Sequence, residues 1–489
     1  MNTQPTLKTL TLLGILITIP LAAIAFLAPK FIYGTDLLER PIIPFIALLM
    51  VSALIYLIAV SHTRALFPSR NFFITTITLG LIMRATLFLS NPILEDDYYR
   101  YLWDGGVTAS GHNPYAHIPE NVRTGRDTQA LGQLARESVE VAARVNHPEL
   151  GTVYPPVAQA AFAIAHVIKP WSIYPWKAIL LFADIATLCL LIAILRKTGL
   201  PETRILIYWW NPLLIKEIYN AAHMDLLVVM FLALAIYFAV HQKTLRTFLA
   251  LTAAIATKLW PVILIPLLLR HSSALKPERK QVLLLSGALL LILLIPTLWA
   301  IPLGQKSGLL AYGQHWEMND LLYMLIHQGI QTLTDTLGLN PSPATGASGI
   351  LSGLRSAVTP HLLARITVAT LLLLWILFLA KKRTPQTPDT LNRLTLATAA
   401  LFMLSPTQFP WYYLWILPLL TLSPRPSLLL LTLTLPLYYL KFHYDAHNTI
   451  DTFHTTIPYI EFTPTLLLLT YEAITTRLDL KSIAPTPQH

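Results

Sequence analysis

The chain has 489 residues, 54% of them hydrophobic and only 12% charged, with a net charge of +10. Ordinary soluble domains carry roughly 25% charged residues, so this composition excludes a soluble enzyme. The basic residues lie scattered in short loops instead of forming one stripe, which excludes a nucleic acid partner.

Apolar blocks of about 15–25 residues match a bilayer core of about 30 Å. They predict an all-α polytopic membrane protein with about 11–14 membrane helices, several of them broken or re-entrant. In chain order the spans fall near 9–28, 43–60, 71–90, 156–168, 177–195, 203–219, 225–240, 247–269, 281–300, 361–380, 391–404, 411–422, 427–440 and 461–476. The first reads as an uncleaved helix, because its apolar run continues to about Ala28. Two regions, 155–195 with "KPWSIYPW" and 247–269 with "TKLWP", read as partial or re-entrant hairpins around a cavity. The single cysteine, Cys189, lies inside an apolar block and reads as a small core residue.

Basic loops vote on orientation. "SHTRALFPSR" (61–70), "RKTGLPETR" (196–204), "HQKTLR" (241–246), "RHSSALKPERK" (270–280) and "KKRTPQTPDTLNR" (381–393) all favour the inside, as does the N-terminus. The outside then receives 91–155, 301–360, "SPTQFPWYY" (405–413) and 441–462, with a mobile tip expected at 340–349. The whole chain, 1–489, is expected to form one membrane domain.

The first external stretch, "NPILEDDYYRYLWDGG" (91–106), raises the chemical question, because carboxylates at a lipid surface are costly unless hydrated, paired or useful. Asn91-Pro92 predicts a helix start and Gly105-Gly106 a stop. Three- and four-residue spacing puts Asp97, Arg100, Tyr101 and Asp104 on one side, while Asp96 points about 100° away and is free to cap. Arg100 can reach either member of the pair or Asp104. On spacing alone the stretch reads equally as an interfacial helix with an ion-pair network.

Apolar segments also carry Arg84, Asp184, Lys216, Glu217, His223, Asp225 and Lys258, and ionisable groups at membrane depth mark a functional interior. Lys216 and Glu217 sit near a helix end and can snorkel; Asp225 reads as a cap. His443 and His447 have a four-residue spacing compatible with a metal but no glutamate base beside them, so no metal is expected. Trp411, Tyr412, Tyr413 and Trp415 form an aromatic cluster that suits stacking on sugar or an interfacial belt.

"EDDYYRYLWDGGVTASGHNPYAH" (95–117) resembles the first external loop of GT-C-type glycosyltransferases, closest to the polyprenol-phosphate-mannose-dependent mannosyltransferases. "VYPPVAQ" (153–159), "WWNPLLIKEIYNAAHMD" (209–225), "TKLWPVILIP" (257–266), "HWEMND" (315–320) and "SPTQFPWYYLWILP" (405–418) continue the resemblance over roughly 70–420. Departures are Met224, where a small polar residue is usual, and Gly106, where arginine is frequent.

The resemblance implies an inverting transfer of a hexose, mannose by preference, from a polyprenyl-phosphate donor to an acceptor hydroxyl on the non-cytoplasmic face of a bacterial inner membrane. The acceptor would be a glycan, a lipid-linked glycan or a protein. It also implies an aspartate base, Asp97 ahead of Asp96; phosphate-binding cations among Lys258, Arg100, His223 and Lys216; and substrate contacts from Tyr101, Asp104, Tyr154, Asp225, Trp411 and Tyr412. No cofactor is required, and a divalent cation is disfavoured because protein cations can serve a monosaccharyl phosphate donor. A transporter or flippase of a lipid-linked sugar is the alternative; it would use the same buried charges and predicts internal repeats, which are not evident.

Overall fold

A computed structural model of the chain describes residues 6–63, 65–126, 128–272, 276–337, 359–381 and 387–482. The expected tip at 340–349 lies outside the described residues. Among those residues there is no strand, only an isolated parallel bridge between Met318 and Thr407.

The helices used below are α1 (Leu7–Leu27), α2 (Ile42–Thr63), α3 (Arg70–Phe88), α4 (Asp97–Ala109), α5 (Pro156–Ile168), α6 (Ile173–Thr198), α7 (Asp225–Val240), α8 (Thr244–Thr257), α9 (Lys276–Leu294), α10 (Gly308–His315), α11 (Leu322–Thr336), α12 (Pro360–Ala380) and α13 (Thr387–Leu404). Six stretches among the described residues are long and apolar enough to cross a bilayer unaided: Leu7–Phe31, Ile42–Thr63, Arg70–Phe88, Ile173–Thr198, Pro277–Lys306 and Pro360–Ala380. Their outward side chains, such as Leu12, Phe26, Leu291 and Phe378, are more than half exposed. That pattern suits lipid as solvent.

Prolines interrupt the two apolar blocks for which the sequence predicted a break. The block 247–269 divides into α8, a 3₁₀ turn Trp260–Leu264 and a short helix Ile265–His271, with Lys258 extended at the break. At 155–195 the break falls between α5 and α6. Only half of that hairpin is partial, however: α6 has 26 residues and is long enough to cross. Cys189 on α6 is exposed, a correction to the expected core position. Its block is apolar on every side, so hydropathy could not assign its inner face.

The chain divides into two compact units, Met1–Glu95 with Ile185–His223 and Tyr413–His489, and Asp96–Asp184 with Met224–Tyr412. In the first, α1 and α3 close on the indoles of Trp209 and Trp210. A Cβ at Gly14 would lie 2.7 Å from the Trp210 ring, and one at Gly80 would lie 2.1 Å from that of Trp209. Trp210 donates to the Thr76 carbonyl at 2.8 Å. The Arg84 guanidinium lies 3.3 Å from the Trp209 ring centroid and donates to the Trp209 carbonyl at 2.7 Å. Its buried charge therefore belongs to helix packing.

In the second unit, α4 lies on α5, with Tyr101 stacked on Phe162 at 4.8 Å. Tyr99, Leu102, Trp103 and Val107 bury the rest of α4 against Val122, Leu131, Leu134 and Val145.

Candidate functional site

Helix α4 begins at Asp97, five residues later than the Asn91-Pro92 signal predicted. The residues before it are claimed by a tertiary contact: Asn220 donates to the Ser90 hydroxyl at 2.8 Å and the Asn91 carbonyl at 2.7 Å, and accepts from the Ile93 amide at 2.9 Å. Asn220 ends a π-helical turn, Lys216–Asn220, a form of backbone frequent at functional sites.

The predicted stop at Gly105-Gly106 is also corrected, since α4 runs through both glycines to Ala109. They serve close approach. A Cβ at Gly105 would stand 2.5 Å from the Phe162 carbonyl oxygen, and one at Gly106 would stand 2.5 Å from the Trp171 ring. Gly105→Ala should therefore push α4 off α5, costing roughly 1–3 kcal/mol. The purified variant should melt at a lower temperature than wild type, and an unchanged melting curve would disprove the close-packing role.

Asp97 is half-buried and Asp96 exposed. The Asp96 side chain makes no capping bond, contrary to expectation. Instead the Asn146 amide donates to both carboxylates, at 3.0 Å to Asp96 and 2.8 Å to Asp97. Burial, then the neighbouring charge of Asp96, raises the Asp97 pKa to about 6, against the pull of Asn146 and Lys258. A carboxyl so tuned is ionised at neutral pH yet far more basic than a surface aspartate.

Lys258 and Asp225 form an ion pair at 2.6 Å, with Asp225 1% and Lys258 20% exposed. Asp225 opens α7, where a negative charge complements the helix dipole, though it makes no cap. The Lys258 ammonium also lies 4.2 Å from the centroid of Tyr412. From there an aromatic wall runs outward. The Tyr412 and Tyr312 hydroxyls are 2.9 Å apart, Tyr312 leans on Trp316 at 5.9 Å, and Trp316 meets the exposed His147 ring at 4.6 Å. His147 directly follows Asn146, so one short loop touches both the acidic pair and the wall.

Other predicted residues hold this frame. Arg100 is 6% exposed, and its Nη2 donates to the carbonyls of His147 at 2.9 Å and Leu150 at 3.1 Å, fixing the Asn146 loop. Asp104 is 1% exposed and accepts from the Thr152 hydroxyl at 2.5 Å and the Gln159 amide at 3.1 Å. Burial raises its pKa, while Arg100, Thr152 and Gln159 pull it down. Tyr154 is half-buried, with its ring edge-on to Tyr101 at 5.1 Å; Trp411 stacks on Phe409 at 4.3 Å.

His223 and Lys216 belong to the first unit. Neither Lys216 nor Glu217 snorkels; both are fully buried and paired at 3.3 Å. Tyr439 donates to Glu217 at 2.6 Å and accepts from Lys216, while His223 Nε2 lies 3.5 Å from Glu217 and 3.8 Å from Glu95. His443 and His447 lie ring to ring at 4.3 Å, and among the described residues no group of three or more His, Cys, Asp or Glu is arranged to hold a metal.

Asn146, Tyr312 and the role of Trp316 emerge only in the folded chain. No local pattern marks Asn146, which lies 49 positions from Asp97.

Two family profiles match the chain, the N-terminal domain of the α-(1→6)-mannopyranosyltransferase (MptA_B) family over residues 40–273 and the MptB C-terminal domain over 342–450. Together they span well over half of it. No curated protein and no solved structure matches.

Proposed function

The chain belongs to the α-(1→6)-mannopyranosyltransferase family and is a multi-pass membrane enzyme that transfers mannose; on that premise we propose that its donor is a polyprenyl-phosphate sugar and its base Asp97. Membership of a transferase family removes the ground for the flippase alternative. The observation that carries the reading is Asp97 itself, held by Asn146 and within electrostatic reach of the Lys258–Asp225 pair.

The step is a single displacement with inversion. An acceptor hydroxyl oxygen bonds to C1 of the sugar as the bond from C1 to the phosphate oxygen breaks. The hydroxyl proton goes to Asp97, and the electron pair leaves with the lipid phosphate. General-base help of this kind contributes about 10²–10⁴ in rate. Lys258, one-fifth exposed and steered by Asp225, is the cation placed to meet the leaving phosphate. Protein cations then suffice, and no metal or cofactor enters the step. The acceptor glycan approaches along the aromatic wall, over His147 and Trp316. The reaction takes place on the non-cytoplasmic face, opposite the basic loops at 61–70 and 196–204. The same basic-loop rule puts the N-terminus in the cytoplasm, with the bacterial inner membrane as the setting.

The pH dependence tests the base. Asp97 must be ionised to accept a proton, so kcat/KM should fall as pH drops through about 6. Asp96→Asn removes the neighbouring negative charge and should move this acid limb to lower pH. Asn146→Ala removes the donor that favours the ionised form and should move it to higher pH. Both profiles are measurable by transfer assays in nanodiscs; two variants with limbs shifted in the same direction would count against Asp97.

A further inference from the structure

Four cations from three separate stretches ring one groove in the second unit. Arg270 stands in the last turn of the helix Ile265–His271, Arg279 and Lys280 stand in the first turns of α9, and Lys381 caps α12. Arg270, Lys280 and Lys381 are exposed. The groove measures about 950 Å³, and its described lining contains no carboxylate. Arg279 donates to the Ser272 carbonyl at 2.8 Å, while its buried Nε has no hydrogen-bond partner among the described residues. Beyond the cations the lining turns apolar, and Leu284, Leu377 and Phe378 there are 52–66% exposed on helices long enough to cross a bilayer.

Like charges gathered on a described lining that holds no carboxylate repel, so the arrangement calls for an anion. An apolar floor continuous with lipid-facing helices calls for one that carries hydrocarbon. We infer that this groove holds an anionic phospholipid, its phosphodiester among Arg270, Arg279, Lys280 and Lys381 and its chains over Leu377 and Phe378. Basic pockets between membrane helices recognise anionic headgroups on this principle. The basic loops thus do more than orient the chain: they form a lipid site that is independent of the sugar-transfer reading.

The test is native mass spectrometry of the delipidated full-length protein with phosphatidylglycerol or phosphatidylcholine, wild type beside Arg270→Gln/Lys280→Gln/Lys381→Gln. Wild type should retain phosphatidylglycerol about tenfold better than phosphatidylcholine, and the triple variant should lose that preference. Equal retention by the triple variant, or equal retention of the two lipids by wild type, would overturn the site. Inorganic phosphate competing as well as phosphatidylglycerol would make it a plain anion site and overturn the lipid assignment. If the triple variant fails to fold, Lys381→Gln alone should weaken phosphatidylglycerol binding several-fold, and unchanged binding overturns the inference.

Discussion

Asp97→Asn is expected to lower kcat about 10²–10⁴-fold while leaving the donor KM within a few-fold of wild type. The amide keeps the shape of the carboxylate and can still accept from Asn146, so α4 and its loop should hold. What it loses is the capacity to take the acceptor proton, an event confined to the transition state. Asp96→Asn should cost far less, because Asp96 is exposed and acts on Asp97 chiefly through its charge. Steady-state kinetics in nanodiscs separate the two. A dead Asp96→Asn beside an active Asp97→Asn would transfer the role of base to Asp96.

Lys258→Met has the second-largest expected effect and acts twice. Loss of the cation proposed to meet the leaving phosphate should lower transfer by about 10²–10³. It also removes the ion-pair partner of Asp225, which is 1% exposed, and breaking a buried pair on one side costs about 3–5 kcal/mol. Lys258→Met/Asp225→Asn should therefore recover much of the thermal stability and none of the activity. Melting curves and transfer rates measured on the same preparations check this. Activity that returned with stability in the double variant would make Lys258 a structural partner only.

Spans and breaks were legible because each rests on local chemistry, apolar length for α1, α2, α3 and α12 and proline for the interruption after α8. The acidic pair was legible for the same reason, since charge at a lipid surface is visible in a single stretch. What stayed hidden was set by distant partners. Gly105 and Gly106 look like a helix stop until Phe162 and Trp171 are found against them. Arg100 suggests a phosphate-binding cation and Asp104 a substrate contact, and only the fold shows that the loop at 147–152 also bonds them, at the Arg100 Nη2 and at the Asp104 carboxylate. Lys216 near a helix end suggests snorkelling, yet Tyr439, 223 positions away, and Glu217 hold it inside. Asn146, the residue that joins the two carboxylates, carries no signal of its own.

The donor proposed for this enzyme is mannose carried on a lipid phosphate. The most direct test supplies wild-type protein in nanodiscs with radiolabelled mannose on polyprenyl phosphate or, separately, on a nucleotide diphosphate, with an α-(1→6)-mannan oligosaccharide as acceptor. Label should pass to the oligosaccharide from the lipid donor and not from the nucleotide donor. Transfer from the nucleotide donor, with none from the lipid, would rule out the lipid-phosphate donor.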